Sequence, residues 1–133
     1  MRSTVERIIE HLTDEHGFVY RYKSCDGLAG SEGTFTICTF WLVDNLATQG
    51  RVTEARALFE RLLTYAGRLG LFSEEIDTLD NVALGNYPQA FSHIALINSA
   101  LNLQKAERRF TEHHTEPIMA AKKLQGFEFS SRP

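Results

Sequence analysis

The side chains of this chain that could do chemistry are carboxylates in the polar segment 71–87. Glu74, Glu75 and Asp77 lie close together there. A carboxylate held in a protein can accept or donate a proton during a reaction. By residue type alone, however, the expected state of Glu74 is that of a solvated surface carboxylate. Its interpretation therefore depends on the segments that position it.

Histidine and cysteine residues add neither a metal site nor a disulfide framework. His113 and His114 are neighbours in a polar tail and form no chelating pattern. His93 is expected to be a hydrogen-bonded core histidine. Cys25 and Cys38 form neither a CxxC pair nor a zinc ligand set, and two thiols in 133 residues do not make a disulfide framework. We therefore expect no bound metal and a reducing, cytoplasmic location.

The composition is that of one ordinary globular domain. The 133 residues are 43% hydrophobic and 23% charged. The net charge is -3, and the 14 Lys and Arg are scattered among 17 Asp and Glu, so no basic stripe is available for nucleic acid. No apolar run approaches the length that spans a membrane. We expect a cytoplasmic protein that binds neither nucleic acid nor a membrane.

Four helices are predicted, and they alternate between two types. Residues 3–15 and 51–69 each carry a single apolar stripe, which is typical of a helix on the surface. Residues 34–49 and the helix that follows Pro88 are apolar around most of their circumference, which is typical of a buried helix. The sequence therefore predicts an all-α fold.

The remaining segments have no sustained hydrophobic period. Residues 18–33 and 71–87 are rich in glycine, aspartate and asparagine and are predicted to be irregular connections. After Asn102 the apolar pattern thins, and residues 104–133 are predicted to form a polar, partly disordered tail. Residues 1–103 would then be the folded part of the chain.

The alternation of helix types favours a toroid over a simple bundle. A toroid whose chain visits an outer and an inner ring of helices in turn would produce this order. An ordinary four-helix bundle would show four one-faced helices instead. Four helices cannot cover two that are apolar all round. We therefore expect other chains, or the remaining helices of a toroid, to cover them.

Two blocks of sequence carry a resemblance to a known family. They read DGLAGSEGTFTICTFWLVDNLATQGRVTEARALFERLL and LFSEEIDTLDNVALGNYPQAFSHIALINSALNL. Both resemble the bacterial branch of glycoside hydrolase family 15, the inverting glucoamylase-like and trehalase-like enzymes, and they occur in the family's order. The resemblance covers about residues 18–103. It implies that residues 1–103 are the C-terminal portion of an (α/α)6 barrel, about the last four of its twelve helices, alternately outer and inner.

The resemblance also implies a reaction and a base. Members of the family hydrolyse α-linked glucosides, such as maltooligosaccharides, isomaltose or trehalose, with inversion and without a metal or organic cofactor. Inversion uses two carboxyl groups about 6.5 to 9.5 Å apart, one as the acid for the leaving oxygen and one as the base for water. Matching SEEID to the family pattern assigns Glu74 as the general base. The family's general acid lies upstream of the point where this chain begins.

Three further residues are candidates for substrate binding. Trp41 could pack in a buried helix or present its ring to the apolar face of a sugar, and both interpretations stay open. Glu32 could cap the helix that follows it, whose dipole a carboxylate complements, or contact a ligand. Glu75 is expected to have a structural or solvated role and is the third binding candidate.

Two functional hypotheses follow. In the first, the chain is a C-terminal fragment of an inverting α-glucoside hydrolase that carries the general base but not the acid. It would be inactive alone and would bind an α-linked glucoside once an upstream half completed it. In the second, it is a non-catalytic helical interaction module derived from that fold. Self-association or a companion chain would then cover its inner helices. Whether the chain is an enzyme stays open.

Overall fold

Helices make up most of the computed structural model, which describes residues 2–24 and 32–125 and the side chains of residues 3–24 and 32–112. The described helices are α1 (Arg2–Leu12), α2 (Thr36–Thr48), α3 (Val52–Leu63) and α4 (Ala90–Gln125). Three short strands, β1 (Thr34–Phe35), β2 (Glu75–Asp77) and β3 (Val82–Leu84), form an antiparallel sheet in the order β1-β2-β3. The predicted helical fold is confirmed in that the described part is mostly helical, and the small three-stranded sheet is an addition that the sequence did not predict.

The helix predicted over residues 51–69 is shorter in the structure. α3 ends at Leu63, and the chain then turns through Gly67 and Gly70, whose φ angles are 60° and 68°. Glycine adopts these left-handed conformations at little cost, whereas a helix cannot continue through them. The predicted helix therefore includes residues that lie beyond the end of α3. One of them, Leu69, is exposed.

The last helix is much longer than the apolar pattern indicates. α4 continues past Asn102 to Gln125. Arg56 of α3 donates a hydrogen bond from Nε to Oε1 of Glu107 at 2.6 Å, which ties this later part of α4 to the rest of the chain. Residues 126–133 lie outside the described part, and the predicted boundary at residue 103 stays a prediction. None of the helices that the structure describes is both long enough and apolar enough to cross a membrane.

The segment predicted to be irregular, residues 71–87, contains a β-hairpin. β2 pairs with β3 so that Ile76 lies opposite Ala83. In the turn, Asp77 Oδ1 accepts the backbone N–H of Leu79 at 3.0 Å, and Asn81 has a φ of 56°. Asp and Asn stabilise such turns through their side chains and tolerate this backbone conformation. The strands have three residues each, too few for an alternating pattern to be recognised.

The core is built around α2, which packs against both α3 and α4. Phe40 is fully buried, and its ring lies edge-on to those of Phe59 and Phe72 at centroid distances of 6.1 and 5.4 Å. α4 packs here through small residues, among them Ala95 and Ser99. The Ser99 hydroxyl donates a hydrogen bond to the Phe40 carbonyl at 3.0 Å. The small side chains therefore bring α4 close to the backbone of α2.

The other side of α4 is apolar but exposed. Its side chains Phe91, Ile94, Ile97 and Leu101 are 50% to 66% exposed, and we call them the open α4 face. Trp41 on α2 is 53% exposed. The helices that the structure describes therefore leave one side of α4 uncovered, whereas α2 is mostly buried and exposes Trp41. This agrees with the expectation that four helices cannot cover two that are apolar all round. An apolar surface of this kind is typical of a contact site.

Candidate active site

Glu74 lies at the point where α2, β2 and the residues after β3 meet. Its carbonyl oxygen accepts the backbone N–H of Thr36, the first residue of α2, at 3.0 Å. Its own N–H donates to the carbonyl oxygen of Asn86, also at 3.0 Å. The backbone of Glu74 is therefore fixed relative to both the central helix and the hairpin.

The Glu74 carboxylate is held through one of its two oxygens. Oε2 accepts a hydrogen bond from the backbone N–H of Asn86 at 3.1 Å and another from its Nδ2 at 2.9 Å. Oε1 is different. Among the residues whose side chains are described, none donates a hydrogen bond to Oε1. One oxygen is thus oriented by Asn86, and the other is left for a ligand or water.

A cavity of about 340 Å³ lies beside Glu74. It is lined by Phe35, Ile37, Trp41, Glu74, Gln89, Phe91 and Ser92. Apolar walls with a few polar groups are typical of small-molecule sites. Two larger cavities, of about 500 and 380 Å³, contain no carboxylate. Of these three cavities in the described part of the chain, the one beside Glu74 is thus the one lined by a carboxylate.

Trp41 and Glu74 come together in this cavity, although 33 sequence positions separate them. Trp41 is about half exposed, so its ring is not an ordinary core residue. The pairing of β1 with β2, with Phe35 opposite Glu75, brings the start of α2 next to Glu74. The sheet that sequence reasoning missed is therefore what joins the two candidate residues.

Glu75 lies beside the cavity but does not line it. Its Oε2 accepts the backbone N–H of Gly33 at 3.3 Å. Burial raises the pKa of the Glu75 carboxyl, and the nearby negative charges of Glu32 and Glu74 raise it further, against the lowering by the Gly33 hydrogen bond. The carboxyl therefore holds its proton more strongly than a solvated glutamate does. Whether Glu75 has a structural role or binds substrate stays a prediction.

Glu32 is exposed and does not cap α2. The helix begins at Thr36, and its N-cap residue, Phe35, makes no side-chain capping hydrogen bond. Glu32 Oε1 instead accepts the hydroxyl of Tyr22 at 2.8 Å. The capping interpretation is wrong because strand β1 lies between Glu32 and the helix. A ligand contact by Glu32 stays a prediction.

His93 is hydrogen-bonded as expected of a core histidine. Nε2 accepts the backbone N–H of Phe72 at 3.2 Å, and Nδ1 lies 2.7 Å from the carbonyl oxygen of Gln89. Since Nε2 accepts, Nδ1 is the nitrogen that donates a hydrogen bond to that carbonyl. His93 therefore holds the backbone of Phe72 and that of Gln89, and it does not line the cavity.

Sequence reasoning missed Asn86 and Gln89, one holding the Glu74 carboxylate and the other lining the cavity. Both belong to the GNYPQ motif, which supported the resemblance but was given no role. Among the described side chains, those of residues 3–24 and 32–112, no three of His, Cys, Asp or Glu are grouped so that they could hold a metal. Cys25 and the side chains of His113 and His114 lie outside the described part.

Most of the sequence matches the family model described as "Glycosyl hydrolases family 15", over residues 2–101. The chain belongs to glycosyl hydrolase family 15. The matched range includes every residue that lines the cavity beside Glu74 and ends at Leu101, inside α4. The later part of α4 is therefore outside the region that defines the family.

The relatives that the chain matches include trehalases. The trehalases of Mycolicibacterium smegmatis and Mycobacterium tuberculosis are each 49% identical over 110 residues, which covers 80% of this chain and 16% of the relative. The trehalase of Thermoplasma acidophilum is 42% identical over 103 residues, covering 77% of this chain and 18% of the relative. The chain thus spans only 16% to 18% of the length of these relatives. No solved structure matches it.

Proposed function

We propose that this chain is the C-terminal portion of an inverting α-glucoside hydrolase and that Glu74 is its general base. The observation that carries the proposal is the Glu74 carboxylate, which lines a cavity with one oxygen held by Asn86 and the other without a donor among the described residues. The named relatives are trehalases, so trehalose is the first substrate to test. A base for water needs one accessible, oriented lone pair, which Oε1 can supply.

The proposed reaction needs a second carboxyl group from outside this chain. In an inverting hydrolase the base takes a proton from water as the water attacks the anomeric carbon, while an acid protonates the leaving oxygen. The acid would come from the part of the enzyme upstream of residues 2–101. General acid catalysis contributes on the order of 10² to 10⁴ in rate. The 133-residue chain alone should therefore hydrolyse no glucoside.

Trp41 is the residue that we propose binds the sugar beside the base. Its half-exposed ring and its place in the cavity support this role over simple packing. A large aromatic ring with one exposed side can cover the apolar face of a sugar and exclude water from it. Neither Glu32 nor Glu75 lines this cavity, so any contact that they make with the substrate would lie outside it. No cofactor is needed in this scheme.

The remaining part of an (α/α)6 toroid would cover the open α4 face. In this arrangement α1 and α3 are outer helices and α2 and α4 inner ones, about the last four of twelve. The small share of each relative's length that the chain spans supports the idea that further helices exist. They could belong to the same polypeptide or to a companion chain.

A non-catalytic interaction module is the second candidate function. It is favoured by the open α4 face itself, since four exposed apolar side chains on one helix can drive self-association without any reaction. In this case the family's packing would persist while Glu74 had no catalytic role.

Fragment complementation separates the two candidates. The 133-residue chain is co-expressed with M. smegmatis trehalase from which the matching segment has been deleted, and glucose release from trehalose is measured. We expect activity only with both parts present, its loss in Glu74→Gln, and its retention in Glu60→Gln, a control carboxylate on exposed α3 surface. Equal activity of the wild type and Glu74→Gln would refute Glu74 as the base. Failure of the two parts to associate would favour the interaction module.

A further inference from the structure

Asn86 makes three hydrogen bonds to a single residue, Glu74. Its backbone N–H and its side-chain Nδ2 both donate to Glu74 Oε2, at 3.1 and 2.9 Å. Its carbonyl oxygen accepts the Glu74 N–H at 3.0 Å. Backbone and side chain of Asn86 therefore both bind Glu74, which lies twelve positions earlier in the sequence.

Gly85 allows this close approach. Its φ is 71°, a conformation that side-chain-bearing residues rarely adopt. A Cβ atom at this position would lie 3.0 Å from both Cβ and Oε2 of Glu74. An alanine would therefore push against the carboxylate itself. A side chain at position 85 would therefore require Glu74 to move by a few tenths of an ångström, at the oxygen that the donors of Asn86 reach.

Two donors on one carboxylate oxygen restrict the whole side chain. A glutamate has three rotatable side-chain bonds, and an unrestrained carboxylate samples many orientations. Hydrogen bonds from two directions to Oε2 fix the plane of the group and, with it, the position of Oε1. The cavity residues Trp41 and Gln89 do not donate to either oxygen among the described hydrogen bonds. The orientation therefore depends on Asn86.

We infer that Asn86 is a positioning residue for the general base: it holds Glu74 through Oε2 so that Oε1 is presented to the attacking water. This inference rests on the proposed function of Glu74. Misplacement of a reacting group by about 1 Å can lower a rate about 10²-fold. Loss of the Nδ2 donor alone, with the backbone donor kept, should therefore lower kcat by about 10- to 100-fold. KM should change little, because Asn86 does not line the cavity.

The contact can be measured in the full 133-residue chain by NMR. The chain is labelled with ¹⁵N and ¹³C. The chemical shifts of the backbone and side-chain amides of Asn86 are measured as a function of pH, and so is the shift of the carboxyl carbon of Glu74. We expect the Asn86 signals to follow the Glu74 titration and to lose that response in Glu74→Gln. The nearby carboxyl Glu75 is the control, so the response should persist in Glu75→Gln. Asn86 signals that do not follow Glu74 would overturn the inference.

The positioning role is tested by kinetics in the complemented enzyme. Asn86→Ala and the equally sized Asn86→Asp, neither of which can donate from its side chain at neutral pH, should both lower kcat with little change in KM. Asn102→Ala, an asparagine on α4 far along the chain from the site, is the matched control and should keep wild-type kcat. If Glu74→Gln abolishes hydrolysis but Asn86→Ala keeps full kcat, the positioning role is wrong and the base assignment stands. If Glu74→Gln keeps full kcat, the proposed function itself is wrong.

Discussion

Replacing Phe72 by alanine should remove a large part of the stability of this chain. The Phe72 ring is 1% exposed and lies edge-on to Phe40 and His93, at centroid distances of 5.4 and 6.0 Å. Truncation of a buried phenylalanine costs about 3 to 5 kcal/mol, through lost burial and the cavity left behind. With a denaturant slope of about 1.5 kcal/mol/M, the urea midpoint should fall by about 2 to 3 M.

The chain offers a matched control in Phe91, which is 66% exposed on the open α4 face. Phe91→Ala should change the unfolding free energy by only about 0.5 kcal/mol, as expected of a surface substitution. Urea titrations followed by circular dichroism at 222 nm give both values. Should Phe72→Ala be unfolded without urea, Phe72→Leu, expected to cost below about 1.5 kcal/mol, takes its place. Equal costs at the two positions would refute the assignment of Phe72 to the core and of Phe91 to the exposed surface of α4.

Three further predictions concern the site and the open α4 face. Because burial and the charges of Glu32 and Glu74 raise the pKa of Glu75, the folded state holds this proton more strongly than the unfolded state. Stability should therefore fall as pH rises from the unfolded pKa through the folded one, and Glu75→Gln should remove that fall and raise the Tm at pH 7. A Tm lower than that of the wild type at pH 7 would contradict this. Gly85→Ala should cost about 1 to 3 kcal/mol in urea unfolding, because it combines a strained φ with a clash against Glu74. An unchanged midpoint would speak against the close approach. Ile97→Glu should change the unfolding free energy by about 0.5 kcal/mol or less. It should also weaken binding to the complementary trehalase fragment by about tenfold or more, measured by titration calorimetry, and unchanged affinity would exclude the open α4 face as the contact.

The helices could be predicted from the sequence because their stabilising contacts repeat along the chain. α2 and α3 lie within the segments whose apolar residues recur with helical spacing. The sheet could not be predicted in this way. In β2 only Ile76 is buried, between Glu75 and Asp77, and an alternation over three residues is too short to recognise. Its partners are β1 and β3. Only the folded chain brings these short segments together.

The burial of α2 and α4 depends on neighbours that their own sequence does not specify. Both are apolar around much of their circumference, yet Trp41 and the open α4 face stay exposed. Periodicity tells which side chains favour burial, and the available partners decide which are buried. The same limit applies to Glu32, whose predicted capping role failed because β1 lies before α2.

At the candidate site, sequence motifs indicated the identity of the key residue but not its geometry. The resemblance assigned Glu74, and the structure places it in a cavity. Its orientation depends on Asn86, which is remote from it in sequence and belongs to a motif without a recognised role. Local patterns do not encode such a contact, because it arises only when the hairpin closes.

The hydrogen bond from Thr36 to Glu74, together with the pairing of β1 and β2, connects the backbone of the candidate base to α2, the helix that carries Trp41. A shift of α2 relative to the rest of an assembled enzyme would therefore move both residues in the same direction. In the proposed hydrolase, the spacing between base and indole is set within this chain, whereas the gap between base and acid is set by how this chain docks on the part that carries the acid. Inversion tolerates only a limited range of that gap. Small changes at the docking surface, far from any substrate, could then tune or abolish the reaction without altering a single residue of the cavity.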